Sequence, residues 1–395
     1  MASTVFLHIG LPKTGTTYLQ TVMWADRERM RSQGVLLPGR ERRDHLWTTR
    51  IIRQDPHLDT YEERVRESWG VLRAEIAGWH GTALISHEFF AGAAPDQAAR
   101  MVAELAPAEV HLVVTAREPV GLYSGGWQES LKNRDARTMT EFAEAEVSES
   151  SMSVWNWRTL DLRLVLERWA PTVPPERVHV LPLPPPGSPR SLLWERFAGL
   201  VGLDPESFDL SPTFPNESMG VAEAETLRRI NLHLKDEDFE RPFDRGVYIR
   251  TFLADERLAT RAGERYWPTE QILADCRERA RAAVAHVEAA GYDVVGDVAD
   301  LLVPDVLEPR RRVDSVTEAE VAEVATAVVG RMMHDVRRIR MQRNDLRRAL
   351  EEERAKPVPG LREALATRFP WTRRFVRAPE GRGGPQSDRL GTDVR

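Results

Sequence analysis

Val5-Phe6-Leu7-His8-Ile9-Gly10-Leu11-Pro12-Lys13-Thr14-Gly15-Thr16-Thr17-Tyr18-Leu19-Gln20 is the stretch on which the reading of this chain turns. Its first five residues form a largely apolar run of strand length. A loop follows with two glycines, a proline, a lysine and three threonines, and a helical pattern begins at once. That is the strand–loop–helix plan of an anion cradle. The N–H groups at a helix start lack intrahelical acceptors and carry the positive end of the helix dipole. Gly10 and Gly15 allow the backbone to approach an anion closely. Lys13 adds a positive charge, and Thr16 and Thr17 add hydroxyls.

The loop departs from the Walker pattern, which places a lysine directly after the second glycine to reach the β- and γ-phosphates of a nucleoside triphosphate. Thr16 holds that position, and the loop's lysine, Lys13, comes before Gly15. A lysine there can reach a single phosphate and whatever is bonded to it. The run Pro12-Lys13-Thr14-Gly15-Thr16-Thr17 resembles the 5′-phosphosulfate loop of sulfotransferases, which take sulfonate from 3′-phosphoadenosine-5′-phosphosulfate (PAPS). The resemblance extends over residues 3–235, and Val113-Val114-Thr115-Ala116-Arg117 with Trp127-Gln128-Glu129 and Lys132 is similar to an actinobacterial branch of that family. It implies a P-loop-like three-layer α/β/α fold with a central parallel sheet. It further implies PAPS as co-substrate, adenosine 3′,5′-bisphosphate (PAP) as product, and no metal requirement.

The chain has 395 residues and is 42% hydrophobic, enough for a large core. Its net charge of −6 gives no general case for nucleic-acid binding. Charge is uneven: from Lys356 onward nine Lys or Arg face four Asp or Glu. The single cysteine, Cys276, rules out a disulfide within the chain and a cysteine-based metal site. No apolar run reaches membrane-spanning length and no secretory leader is evident, so a cytoplasmic enzyme is expected.

Helices are expected over 18–33, 61–79 and 95–105, and strands over 82–86, 110–115 and 177–181. Strands alternating with helices imply a parallel sheet covered on both faces, with ligands at the carboxyl ends of its strands. The first loop, His87-Glu88 and Arg117 all lie at such ends. The polar cluster Arg40, Arg42, Arg43, Asp44 and His45 reads as solvated surface or a substrate-facing loop, with surface favoured. Val321, Val324, Val328, Met332, Val336 and Ile339 recur at helical spacing, so 316–355 is expected to be one long helix, a coiled coil or a helix packed along the domain, able to form a homodimer. The division expected is an α/β domain over 1–310, the helix over 311–356, and a basic tail over 357–395. Within that tail, 361–377 could form an amphipathic helix touching a membrane surface.

Sulfonate transfer needs an anion site, charge stabilisation at the leaving phosphate, and a base for the acceptor. Lys13 is the candidate for leaving-group stabilisation. Pro12, Thr14, Gly15, Thr16 and Thr17 complete the phosphate loop. Glu88 is the candidate base, with His87 as its competitor; a carboxylate facing an anionic donor is expected to have its proton affinity raised. In the family an Arg after the third strand and a Ser on the next helix hold the 3′-phosphate, which implies Arg117 and Ser124. Ser124 falls one residue short of the usual spacing, and Gln128 or Lys132 could substitute. Asn216 and Ser218 could close over the donor, although loop capping is the more ordinary role, and Trp127, Trp155 and Trp157 could line the acceptor site, although plain core packing is favoured. The acceptor class stays open among small molecules, glycans and lipids. The rival readings are a small-molecule kinase with a degenerate P-loop and a non-catalytic scaffold acting through 316–377.

Overall fold

In β1 (Thr4–His8), β3 (Thr82–Ser86), β4 (Glu109–Ala116) and β5 (Val178–Pro182), alternate side chains face opposite sides, as the period of a strand requires. Val5, Leu7, Ala83, Ile85, Leu112, Val114, Val178 and Val180 enter one core, while Phe6, Leu84, Val113 and Leu181 enter another. A sheet apolar on both faces must be covered on both, and a parallel sheet with crossover helices does this. The computed structural model describes residues 1–144, 154–211, 218–235, 237–239, 241–261, 263–355 and 368.

Two short strands, β2 (Val35–Leu36) and β7 (Asp293–Val294), complete a six-stranded sheet in the order β2-β3-β1-β4-β5-β7, parallel throughout. β6 (Tyr266–Trp267) pairs apart from it with β8 (Arg311–Arg312). The fold is therefore the α/β/α sandwich with a parallel sheet that the sequence implies, followed by a helical C-terminal region. From β1 the chain builds β2 and β3 on one flank, then crosses to β4, β5 and β7 on the other. The chain leaves β1 toward one flank and β4 toward the other, so the topological switch point, where open parallel sheets bind ligands, falls between their carboxyl ends. A third core lies among the helices Pro119–Lys132, Val221–Asn231 and Glu270–Ala290 and the π-helical segment Arg245–Leu258.

Three local expectations change. The 18–33 helix is two helices, Thr16–Ala25 and Arg27–Ser32. Asp26 leaves helical geometry between them and caps the second by accepting from the Arg29 N–H. The 61–79 helix is likewise split into Glu63–Arg66 and Ser68–Gly78. The cluster at 40–45 is not solvated surface throughout: it begins the helix Arg42–Ile52, and Asp44 and His45 are fully buried. Asp44 accepts from the backbone N–H and guanidinium of Arg40, and His45 bonds to Pro38 and Ser86.

The last helix, Glu318–Ala355, is continuous. The chain divides into a unit Met1–Val329 and a unit Gly330–Arg395. Apart from Arg368, the proposed 361–377 helix lies outside the described residues, as does Asn216. Among the described residues no helix is long and apolar enough to cross a membrane.

Candidate functional site

The loop after β1 is held from below by polar side chains on three neighbouring strands. His8 Nδ1 bonds the Ser86 hydroxyl on β3 at 2.8 Å, and Nε2 bonds the Thr115 hydroxyl on β4 at 3.1 Å. Thr115 bonds the Thr14 hydroxyl at 2.7 Å, and Thr14 lies 2.6 Å from the Leu11 carbonyl to which it donates. Burial pushes the His8 imidazole down to about 4, so it is neutral here at physiological pH. Gly10 crosses this network so closely that a Cβ would stand 2.3 Å from Thr115 Oγ1 and 2.8 Å from His8 Nε2. Gly15 caps the following helix at φ 81°, in the left-handed region, and among the described residues no side chain is seen capping its first-turn N–H groups. Lys13 also takes a left-handed φ of 66°. Pro12, Thr14 and Thr16 are buried, Thr17 is half-buried, and Lys13 is exposed.

From this loop the Lys13 stem passes over the helix Pro119–Lys132, where a Cβ on Gly125 would lie 3.1 Å from Lys13 Cε. Its ammonium donates to Glu129 Oε1 at 3.2 Å. Glu129 also accepts from Arg250 at 2.5 Å and lies 3.6 Å from Lys132, which donates to Asp255 at 2.7 Å. Burial alone would raise the Glu129 carboxyl, but the Lys13, Arg250 and Lys132 cations outweigh it and hold the group down at about 2. One residue before Gly125, the Ser124 hydroxyl is buried with no protein hydrogen-bond partner among the described residues. A helix start that Gly15 leaves without a side-chain cap, and the orphaned Ser124 hydroxyl one residue from the Gly125 over which Lys13 lies, together fit a bound polyanion.

Glu88 and His87 follow β3. Gln20, on the helix that leaves the loop, donates to Glu88 Oε2 at 3.3 Å, and Arg42 binds the Gln20 carbonyl at 2.8 Å. The side chains therefore tie the anion loop's helix to the candidate base. The expected rise in Glu88 proton affinity is corrected: burial acts in that direction, but His87, a backbone hydrogen bond, Gln20 and Arg42 together lower it below the usual carboxylate value. His87 caps the turn Glu88–Gly92, its Nδ1 accepting from the Phe89 N–H at 3.1 Å. Its imidazole is pushed down, first by burial and then by Arg42, Arg53 and Arg50 against the opposing pull of Glu88.

Arg117 pairs with Glu118 at 3.1 Å and folds over Gly121, lining a depression with Pro119, Leu160, Asp161 and Arg279. Glu118 caps the helix through the Gly121 N–H. Gln128 is occupied structurally, clamping both backbone groups of Met219 and the Tyr266 hydroxyl. The three tryptophans divide between core packing and a wall position. Trp127 is fully buried and Trp157 is buried against Tyr123, both as core. Trp155 is half-buried and edge-on, at 6.0 Å, to Phe89, the residue after Glu88. Ser218 is exposed. Sequence reading misses Glu129 as the acceptor for Lys13, and also Gln20 and Arg250, because each meets the site only through packing of distant segments.

No family model matches the chain, and no curated protein matches it. Among solved structures, the crystal structure of a sulfotransferase from Alicyclobacillus acidocaldarius matches over 60% of this chain and 95% of its own, at 17% identity and a TM-score of 0.37. Those values are too low to carry a residue's role or a substrate from one chain to the other.

Proposed function

We propose that the chain is a sulfotransferase that moves sulfonate from PAPS to a hydroxyl or amine of a small-molecule, glycan or lipid acceptor. One observation carries the reading: the lysine of the anion loop precedes Gly15 and extends over Gly125 to Glu129, where a single phosphate and its leaving oxygen, rather than a triphosphate chain, suit its reach. The bound donor supplies sulfur bonded to a lone 5′-phosphate, open to in-line displacement.

The chain's residues then have distinct tasks. The first-turn N–H groups of Gly15, Thr16 and Thr17 hold the phosphate. Lys13 exchanges Glu129 for the bridging oxygen and stabilises the charge that develops there. Ser124 and Arg117 are the candidates for the 3′-phosphate; the orphaned hydroxyl favours Ser124. Glu88 is ionised at neutral pH and takes the acceptor's proton. His87 is the weaker candidate, because its Nδ1 is engaged by the Phe89 N–H. Phe89, the residue after Glu88, and Trp155, edge-on to it, are the remaining aromatic candidates for acceptor contact.

The test is a panel of phenols, sugars and lipids incubated with radiolabelled PAPS. The reading expects label on at least one acceptor with the native chain and none with Lys13→Ala. Transfer of phosphate from ATP–Mg²⁺ with no transfer from PAPS would replace it with the kinase reading.

A further inference from the structure

The C-terminal helix, Glu318–Ala355, buries Val321, Val324 and Val328 in its first turns. From 329 to 355 every residue is exposed except the half-buried Asp335. Helices draw most of their stability from packing an apolar face, and among the described residues this stretch buries none of its apolar side chains. It nevertheless carries an ordered apolar stripe. Met332, Ile339 and Leu346 repeat every seven residues, and so do Val336, Arg343 and Leu350. The two series interleave at spacings of four and three, the a/d pattern of a left-handed coiled coil.

We propose that this stripe is the seam of a parallel, in-register, two-stranded coiled coil with a second copy of this chain. The a positions are Val336, Arg343 and Leu350, and the d positions are Met332, Ile339 and Leu346. The flanking charges select the orientation. The e positions 340, 347 and 354 are arginine, and the g positions 335, 342 and 349 are aspartate, glutamine and alanine, Asp335 also accepting from Arg338 of its own helix at 2.6 Å. Parallel helices set each g residue against the following e residue of the other helix, which brings Asp335 to Arg340 of the second copy. Antiparallel helices set e against e, and every such alignment stacks arginine on arginine. Arg343 at a central a position faces its own copy in the in-register pair, which costs stability but specifies the register, because any other alignment buries it against an apolar residue. A seam two residues wide in seven suits a helix better than a bilayer, which takes a broad apolar face.

The full-length chain is tested by light scattering and by cysteine linkage. The proposal expects a mass of twice 44.9 kDa, lowered to that of one chain by Ile339→Asp with Leu346→Asp, while far-ultraviolet dichroism confirms that the Met1–Val329 unit stays folded. Leu350→Cys should link to itself under mild oxidation, since the native Cys276 is buried. Asp335→Arg should weaken association at least about 10-fold, and adding Arg340→Asp should restore it. A single-chain mass for the native protein overturns the proposal. So does linkage that needs a mixture of Leu350→Cys and Met332→Cys chains, because antiparallel helices hold two copies of residue 350 roughly 20 Å or more apart. Monomeric chains that bind anionic phosphatidylserine vesicles through this helix would also overturn it.

Discussion

In the proposed reaction Lys13 and Glu88 carry the chemistry, each held by a different helix. Lys13 is tied to the Pro119–Lys132 helix through Glu129, and Glu88 is tied to the Thr16–Ala25 helix through Gln20. Lys13→Ala removes one of three cations facing Glu129 and leaves Arg250 and Lys132 in place. Stability should change by less than about 1 kcal/mol, while transfer from PAPS should fall by about 100-fold or more. Equal stability with unchanged transfer would take Lys13 out of the mechanism. Glu88→Gln should lower turnover by a similar factor and leave PAP affinity unchanged. Because Glu88 is held below the usual carboxylate range, turnover should stay level from pH 7 to pH 5 and decline only at more acid pH, as its base form is lost. A decline already centred near pH 6.5 would point away from it. Both residues are legible in the sequence because each ends or follows an apolar strand. Glu129 and Arg250 are not, since their pairing with Lys13 spans more than a hundred residues of chain and depends on how the helices pack.

The β1 loop works as a unit because two glycines let its backbone pass where side chains could not. Gly10→Ala should drive a methyl into Thr115 and His8 and destabilise the fold by roughly 1–3 kcal/mol, seen as a lower Tm. An unchanged Tm would mean that the loop lies farther from β4 than described. The Pro119–Lys132 helix holds a different balance. Glu129→Gln leaves Lys13, Lys132 and Arg250 facing one another without their shared carboxylate, and should lower stability by about 3 kcal/mol. Added PAP should recover more Tm in that variant than in the native chain, because an anion can take the carboxylate's place; an equal rise in both would contradict this. Elements with a clear period were readable, such as β1, β3, β4 and the terminal helix. Two-residue strands such as β2 and β7 carry no period to read. The break at Asp26 follows from a cap that only the three-dimensional turn makes visible.

The parallel sheet was legible because strand–helix alternation leaves few topologies. The buried polar layer beneath the β1 loop was not, since the sequence gives His8 and His45 no mark of burial. Both are fully buried and held down near 4 by desolvation, against 6.5 in an open chain. The unfolded chain therefore binds protons that the folded one refuses. Their contribution is complete above about pH 6.5 and is lost as the pH falls toward about 4, by up to about 1.4 kcal/mol per pH unit for each histidine. Chemical denaturation at pH 7 and pH 5 should show the loss, and identical midpoints would contradict the buried neutral layer. The central claim is that the β1 loop grips a nucleotide through one 5′-phosphate. Calorimetric titration with PAP and, separately, with ATP–Mg²⁺ tests it most directly: the account predicts saturable binding of PAP, weakened by Lys13→Ala, and weaker or no binding of ATP–Mg²⁺. Tight binding of ATP–Mg²⁺ with no heat from PAP would contradict it.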